Sequence, residues 1–454
     1  MTFYEFTSLF ASTAWGPWLV ILLVGSGMYF AFVSNFAPYK KISTGLKLIF
    51  EKDSDTEGSI SKYQALTAAL SGTIGLGNIA GVALAISIAG PGAVLWMWLT
   101  ACVGIATKFF TCSLSVLYRE KDRDGTILSG PMYVIKNGLG RNWMFLAYFF
   151  AFFGMIGGLP AVQSNQIVQI IRELSFPEMV SQDMLVFNLS MGVLITLVTG
   201  LVVIGGLKRI AQASAWLVPF MGGLYIFAAL IILVLNFNEV PGVIWLIVTD
   251  AFSGKAVVGG TLMGVILYGI QRGAFSNEAG IGTESLIHGT ARTNNPIKQG
   301  LVAMVGPIFD TLLVCTATAV VIIVSGLWLE SNYSGVTLTA MAFYQELGVF
   351  GTAVVFICVL SFGISTMFTY SYYGAMCARF LFGKIGQKIY SYVFIATILF
   401  FASISLESAI NIIDGSFAMM AIPTLISSIL LCLLYTSDAA DDMQCVDLGG
   451  RRII

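Results

Sequence analysis

Long apolar runs, separated by short polar segments, dominate the chain. Eleven of these runs reach the roughly 20 residues that an α-helix needs to cross the hydrocarbon core of a bilayer. A shorter apolar stretch at 241–252, which contains Trp245, is typical of a helix lying at the membrane interface. The pattern therefore predicts an all-α membrane protein with about 11 transmembrane helices. The predicted spans are residues 15–36, 62–89, 93–118, 142–172, 184–206, 212–235, 257–288, 296–329, 348–380, 389–406 and 416–434.

Two of the predicted spans are interrupted by glycine and polar residues. Residues 72–81 in the second span read GTIGLGNIAG, and residues 269–284 in the seventh read GIQRGAFSNEAGIGTE. Each interior glycine costs a helix about 1 kcal/mol relative to alanine, and backbone groups freed inside a membrane must find other partners. Such breaks are tolerated where they line a protein cavity, which favours a binding site. A single break is explained equally well by close packing of helices at small residues.

The two breaks occupy corresponding positions in two halves of five spans each. Interrupted segments at matching positions are typical of inverted-repeat secondary transporters, and close packing explains two such coincidences poorly. Because five is an odd number, the second half enters the membrane with opposite topology, as an inverted repeat requires. The predicted divisions are a peripheral N-terminal helix and cytoplasmic loop at 1–61, a first repeat with the interfacial segment at 62–206 and 207–255, a second repeat at 256–434, and a tail at 435–454.

Positive charges are distributed unevenly between the loops on the two sides of the membrane. Of the 23 Lys and Arg residues, seventeen fall in loops on one side and only Arg172 and Lys255 fall on the other. Cytoplasmic loops carry the excess of Lys and Arg, so the N-terminus is expected outside and the C-terminus in the cytoplasm. The expected location is the cell (inner) membrane, with multiple passes through the bilayer.

The tail at 435–454 differs from the rest of the chain because it is polar and aperiodic. This composition predicts disorder. We interpret the tail as non-native sequence that replaces the end of the last helix; the alternative is a short genuine cytoplasmic tail.

Composition excludes several other classes of protein. The chain is 57% hydrophobic and 10% charged, with a mean hydropathy of +0.87, whereas globular domains carry about a quarter charged residues. A net charge of −1 without a basic stripe gives no sign of a nucleic-acid partner. The single histidine, His288, and seven cysteines without paired spacing argue against a metal site or a hydrolase. The sequence therefore does not predict an enzyme.

The unwound segments have chemistry suited to an amino acid and a small cation. The N-terminal end of a half-helix attracts a carboxylate, and free carbonyls suit a cation, so 77–78 is a plausible carboxylate cradle. The hydroxyls of Ser365 and Thr366 are suitable sodium ligands, unless they bond back to their own helix. Residues 163–165 form a polar cluster that either orients a zwitterion or ties helices together.

Several ionisable residues lie within predicted spans, where they are costly and usually face a cavity or a partner. Glu278 and Arg272 flank the second break and are candidates for gating or pairing. Lys108, Glu407 and Asp414 are expected near the interfaces, where long side chains reach water. The remaining members of this set are Glu284 and Asp310.

A set of short motifs lies along the chain: QAL at 64–66, GTIGLGNIAG at 72–81, GPGA at 90–93, WMW at 96–98, ATK at 106–108, SGPMY at 129–133, QSN at 163–165, GAFSNEAG at 273–280 and DT at 310–311. Through these motifs the chain resembles the alanine/glycine:cation symporters, the sodium:alanine symporter family, over residues 1 to about 434. The resemblance implies the leucine-transporter-like fold, a 5+5 inverted repeat, with one extra N-terminal helix. It also implies uptake of alanine or glycine driven by sodium, or less often by protons.

The resemblance also assigns residues. It places substrate contacts at Gly75, Gly77, Asn78, Gln163, Phe275 and Ser276. It places the coupling sodium at main-chain oxygens near Ser71 and Ile74 and at the hydroxyls of Ser365 and Thr366. Two departures stand out: Thr111 replaces a common glutamate, and Pro423-Thr424 replaces the usual Pro-Asn.

The sequence thus predicts a secondary active transporter in the lipid bilayer that imports alanine or glycine with sodium by alternating access. The alternatives are proton coupling, a passive channel and a non-transporting amino-acid sensor of the same fold. The sequence does not determine the oligomeric state.

Overall fold

The computed structural model describes residues 2–51, 57–175, 181–253, 262–329, 333–403 and 407–447. The N-terminal half contains α1 (Phe3–Ala14), α2 (Pro17–Val33), α3 (Ala37–Lys40), α4 (Ile42–Ile49), α5 (Lys62–Thr73), α6 (Val82–Ala89), α7 (Ala93–Leu117), α8 (Pro131–Val134), α9 (Met144–Gly157), α10 (Ala161–Ser175), α11 (Ser181–Val203), α12 (Gly206–Leu235) and α13 (Val240–Asp250). The C-terminal half contains α14 (Leu262–Asn277), α15 (Thr283–His288), α16 (Pro296–Ala303), α17 (Thr316–Ser325), α18 (Gly335–Leu347), α19 (Val349–Ser403) and α20 (Glu407–Asp447). An antiparallel pair, β1 (Glu120–Lys121) and β2 (Ile127–Leu128), follows α7.

The all-α membrane architecture predicted from the sequence is confirmed, but the count of eleven spans is not. Within the described residues, eight helical segments are long and apolar enough to cross a membrane, or nine if the bent pair Lys62–Thr73 and Gly77–Ala89 forms one span. One reason for the difference is Gly383, whose φ of 70° and ψ of −163° are non-helical inside Val349–Ser403, so this element contains two predicted spans. The other is α14, whose 16 residues fall short of a span.

The first break follows directly from its sequence. Helix α5 begins with a capping box, in which Ser61 Oγ accepts from Gln64 N and Gln64 Oε1 accepts from Ser61 N, both at 3.1 Å. The helix ends at Thr73, and Ile74 has a ψ of 87°, outside the helical region. A wide π-helical turn at Gly77–Gly81 then leads into α6, with a 50° bend between the two halves.

The second break lies between α14 and α15. Helix α14 ends at Asn277, and Glu278 has a φ of +54°, which is uncommon for a residue with a side chain. Gly280 and Gly282 follow with φ values of 90° and 96°, a region that glycine enters without steric cost. Gly280 and Gly282 therefore turn the backbone, as the sequence predicts. Gly269 and Gly273 do not, because they lie within α14, where they allow close packing against α7.

Two predicted boundaries differ from the structure. Helix α20 continues to Asp447, so the predicted end near residue 434 does not end the helix. Residues 448–454 of the predicted tail, like the start of predicted span seven at 257–261, lie outside the described residues. The disorder and the non-native origin assigned to 435–454, like the two repeat domains, stay predictions.

A charged cluster joins the β1–β2 turn to α19 on the face rich in lysine and arginine. Arg379, only 7% exposed, donates to Asp122 Oδ2 at 2.5 Å and to Asp124 Oδ2 at 3.3 Å. Lys384 Nζ lies 3.0 Å from Asp124 Oδ2. Hydrogen bonding from Arg379 holds the pKa of Asp122 below its ordinary value of 3.8. The pKa of Asp124 is also lowered, chiefly by the backbone N–H of Thr126.

This cluster makes stability depend on pH. A carboxyl whose pKa is lowered on folding stabilises the protein above its unfolded pKa, and that contribution disappears as the pH falls through the folded value. We therefore expect Arg379→Gln to lower the thermal unfolding temperature in detergent by a few degrees at pH 7. The variant should also lose less additional stability than the wild type when the pH is taken below 3.8. If the unfolding temperatures of the wild type and Arg379→Gln changed identically with pH, Arg379 would not be the partner of these carboxyls. The matched control is Lys121→Gln, at an exposed lysine in the same β1–β2 segment.

Candidate functional site

The two breaks face each other in the interior of the bundle. A Cβ placed on Gly77 would lie 3.6 Å from the ring of Phe275 and 3.9 Å from the Cα of Ser276. These distances are those of van der Waals contact, so Gly77 faces the last turn of α14, directly before the second break. Residues that the sequence assigns to one substrate site are therefore neighbours in space.

Asp310 joins the two breaks through its carboxylate. Asn78 Nδ2 donates to Asp310 Oδ1, and Ser276 Oγ donates to Oδ2 at 3.0 Å. Thr311 Oγ1 donates to the same Oδ2 at 2.7 Å. All four residues are buried, with Asp310 and Asn78 both 0% exposed. Hydrogen bonds to a carboxylate are among the stronger ones when it is ionised, so Asp310 fixes the position of Asn78 relative to Ser276.

This arrangement refines the role of Asn78. The sequence suggests that its amide offers a donor to a substrate carboxylate, but the structure directs that donor to Asp310. The amide oxygen, Oδ1, accepts from the N–H of Gly75 at 3.0 Å, a backbone group freed by the break. Asn78 therefore connects the unwound backbone to the buried carboxyl group of Asp310.

Asp310 is absent from the residues that the sequence assigns to the site. A signal was present, because an aspartate within a membrane span is costly and usually functional. The structure adds that Asp310 lies on a π-helical turn, Ile308–Cys315, as Asn78 lies on another. Such wide turns occur frequently at functional sites. The partners of Asp310 depended on helix packing that no sequence pattern revealed.

The residues assigned to sodium also converge. Thr366 Oγ1 donates to the carbonyl oxygen of Ser71 at 3.1 Å, and Ser365 Oγ lies 3.5 Å from the same oxygen. Both hydroxyls also bond back to the carbonyl of Phe362, at 2.8 and 3.0 Å, which is the alternative that the sequence left open. Ile74, at the end of α5, carries the next non-helical carbonyl. Ser71, Ser365 and Thr366 thus form one oxygen-rich contact between α5 and α19, and Ile74 follows Ser71 by three residues.

Two further hydroxyls belong to this contact. Ser71 Oγ and Thr369 Oγ1 are 2.5 Å apart, and Ser214 Oγ of α12 donates to Ser71 Oγ at 3.0 Å. A Cβ on Gly75 would lie only 2.6 Å from Thr366 Oγ1, so glycine is required for this approach. Thr369 and Ser214 were not assigned from the sequence.

Gln163 stands apart from these hydrogen-bonded sets. It lies on α10, is 6% exposed, and its Oε1 has no hydrogen-bond partner among the described residues. Ile167, one turn further along α10, lies beside Gly363. A Cβ placed on Gly363 would also lie 3.8 Å from Leu76, so this part of α10 is close to the first break. Since a buried unpaired oxygen is costly, Gln163 is suited to accept from a bound donor.

Glu278 and its neighbours form a second buried polar cluster. Tyr370 Oη donates to Glu278 Oε1 at 2.7 Å, and Thr283 Oγ1 donates to Glu278 Oε2. Glu284 is fully buried nearby, and its Oε1 lacks a hydrogen-bond partner within the described part of the chain. The cluster fixes the backbone of the second break rather than lining the contact with Gly77.

Two ionisable residues do not lie where the sequence suggests. Lys108 was expected near an interface, but it is 1% exposed and packs beside Gly306. Its charge acts on the carboxyls of Glu284 and Asp310. Asp414, also expected at an interface, is 6% exposed and lies 3.7 Å from Arg272 Nη2. Glu407 lies outside the residues whose side chains the structure describes.

Comparison with solved structures supports the architecture. The chain superposes on the crystal structure of MhsT in complex with L-phenylalanine, with a TM-score of 0.60 and 15% sequence identity. The alignment covers 83% of this chain and 89% of MhsT. At this identity the likeness shows the fold alone, which is the leucine-transporter fold that the sequence predicts.

Comparison with known sequences is more specific. An uncharacterized transporter of Haemophilus influenzae is 38% identical over 98% of this chain and 97% of its own length. The sodium/alanine symporter AgcS of Methanococcus maripaludis is 36% identical, over 96% of this chain and 97% of AgcS. The probable sodium/glutamine symporter GlnT of Bacillus subtilis is 33% identical, over 92% and 86%. The sequence model of the sodium:alanine symporter family matches residues 1–445. A chain with two facing broken helices and relatives of this kind is a multi-pass secondary transporter and not an enzyme, and it belongs to the sodium:alanine symporter family.

Proposed function

We propose that this transporter imports a small neutral amino acid, alanine or glycine, together with sodium by alternating access. The observation that carries the proposal is the meeting of the two breaks at Gly77, Phe275 and Ser276. Unwound segments that face each other supply free backbone dipoles to both charged groups of a zwitterion. Gly75, Gly77, Asn78, Gln163, Phe275 and Ser276 are proposed to form the substrate pocket.

A small substrate fits the walls of this pocket. The ring of Phe275 packs 5.6 Å from that of Phe417, and Phe417 in turn lies 5.5 Å from Tyr370. This aromatic row limits the side chain that fits beside Gly77. Among the relatives, AgcS is named for alanine and GlnT for glutamine, so the family name alone does not choose a substrate. We choose alanine or glycine because of this aromatic wall.

Sodium is proposed to bind where Ser71, Ile74, Ser365 and Thr366 converge. Sodium prefers hard oxygen ligands, and this contact offers main-chain and hydroxyl oxygens without a carboxylate. The hydroxyls that now donate to the Ser71 carbonyl would turn their lone pairs toward the ion. Because α5 belongs to the first broken span and α19 belongs to a different, unbroken part of the bundle around Ser365 and Thr366, an ion bound between them links the two elements.

The proposed orientation places the N-terminus outside and the C-terminus in the cytoplasm of a cell (inner) membrane. The bias of Lys and Arg toward one set of loops supports it. Alanine then enters with sodium down the sodium gradient.

Uptake of labelled alanine into proteoliposomes tests the transport proposal. We expect an inward sodium gradient to drive accumulation, and equal sodium on both sides to abolish it. Equal uptake with and without the gradient would contradict coupling and favour a passive channel. Accumulation driven only by a proton gradient would favour proton coupling, and binding without uptake would favour a sensor.

Replacing Asn78 tests the substrate site. Asn78→Ala removes the bonds to Gly75 N and to Asp310, so alanine affinity should fall at least about tenfold, equivalent to roughly 1.4 kcal/mol. Asn137→Ala is the matched control, because Asn137 also lies on a π-helical turn and donates to a main-chain oxygen, that of Tyr118. Equal alanine affinity in the two variants, measured by calorimetric titration, would remove Asn78 from the site.

Replacing Thr366 tests the sodium site separately. Thr366→Val keeps the shape but deletes the hydroxyl near the Ser71 carbonyl, so the sodium concentration for half-maximal uptake should rise several-fold. The control is Thr397→Val, in the part of α19 that follows Gly383, where the hydroxyl donates to the carbonyl of Phe394 in its own helix. An unchanged sodium dependence in Thr366→Val would contradict the assignment.

A further inference from the structure

A cavity that is separate from the proposed substrate site opens on the side of α5, and we call it the groove. It has a volume of about 470 Å³ and is walled almost entirely by apolar side chains. Its lining comes from α4, one face of α5, one face of α12 and the π-helical turn that carries Asp310. At one end lie Leu46, Phe50 and Tyr63, and at the other lie Ile74 and Leu230.

The groove has the length of one lipid leaflet. Its lining on α12 extends from Val218 to Leu230, a rise of about 18 Å at 1.5 Å per residue. Half of the hydrocarbon core of a bilayer is about 15 Å thick. On α5 the lining begins at Tyr63, at the start of the predicted span 62–89, and ends at Ile74, near the middle of that span, so the groove accommodates a single acyl chain.

Two glycines of α12 give the groove its depth. A Cβ placed on Gly222 or Gly223 would meet no heavy atom within 4 Å. Pro219, one turn earlier, cannot donate to the carbonyl of Ala215, and Tyr63 Oη donates to that oxygen instead at 3.0 Å. The carbonyl that Pro219 leaves without its helical donor is therefore satisfied by Tyr63, which lines the end of the groove.

Exposed lysines lie beside the open end of the groove, and the carboxylate next to Phe50, that of Glu51, is already paired with Lys62 and Lys298. Leu46 and Phe50 line it, and Lys47 lies between them in sequence on α4 with its side chain exposed. Lys40 is also exposed on the same short segment. In the proposed orientation this end faces the cytoplasmic leaflet, where anionic headgroups attract exposed lysines. Charge complementarity thus selects an anionic phospholipid among the molecules with an acyl chain.

We propose that this groove binds one acyl chain of an anionic phospholipid, with its headgroup beside Lys47. The site is separate from the proposed amino-acid pocket, but the chain end reaches Ile74, where α5 unwinds. A bound chain supports the wall of the first break from the lipid side. Transport activity is expected to depend on lipid headgroup for this reason.

Native mass spectrometry of the purified full-length protein tests the proposal. The probes are phosphatidylglycerol and phosphatidylcholine with identical chains, added to detergent micelles. We expect the wild type to retain one phosphatidylglycerol at a concentration roughly fivefold below that needed for phosphatidylcholine. Gly222→Phe fills the groove and should lose this lipid, whereas Lys47→Gln should bind both lipids equally.

Matched controls separate this site from general effects of substitution. Gly25→Phe adds the same ring at another exposed helical glycine with open space around it, and Lys121→Gln removes another exposed lysine. If Gly222→Phe retained phosphatidylglycerol as well as the wild type does, the groove would not be the binding site. The same would follow if Gly25→Phe lost as much phosphatidylglycerol as Gly222→Phe. Equal retention of the two lipids by the wild type would overturn the role of the headgroup. A dimer that disappears in Gly222→Phe would show that a second copy of the chain, not a lipid, fills the groove.

Discussion

The hydrogen bond from Gly75 N to Asn78 Oδ1 shows the constraint on which this structure depends. A backbone group freed inside a bilayer must find a partner within the protein, because the hydrocarbon offers none. Here the partner is a side chain that is itself anchored to Asp310, and Asp310 is anchored to Ser276 of the second break. One buried carboxylate thereby joins two unwound helices that lie far apart in sequence.

Two kinds of contact satisfy the polar groups around the first break: one to the carboxyl group of Asp310 and one to hydroxyl groups of α19. On the side of Asp310, the break is held by a charge and its donors, which form a rigid connection. On the side of α19, it is held by neutral hydroxyls from Thr366 and Thr369, some of which also have partners on their own helix. Neutral hydroxyls exchange partners at low cost, so this second side is the one suited to admit and release an ion. The apolar groove along α5 adds a third boundary, which faces the lipid.

Much of this organisation could be predicted from the sequence, because glycine and polar residues in an apolar run disrupt a helix wherever it packs. Both breaks follow from that local rule, whereas the association of Ser365 and Thr366 with Ser71 was implied by the family resemblance. The central position of Asp310 could not be predicted, since its partners come from two other spans and depend on their rotation. The burial of Lys108 was misjudged for a related reason: a long side chain near the middle of a span can reach either water or a buried partner. The boundary at Gly383 could be predicted, because it falls between the predicted spans 348–380 and 389–406, among Arg379, Lys384 and Lys388.

Reciprocal linkage between the two ligands tests the central claim most directly, because coupling requires that each bound ligand strengthens the other. Calorimetric titrations of the purified protein with alanine at several sodium concentrations, and with sodium at several alanine concentrations, measure both directions. The structure predicts that sodium raises alanine affinity, and that alanine raises sodium affinity by the same factor, because both ligands share the unwound segment between Ser71 and Asn78. Alanine affinity that is independent of sodium would contradict the account.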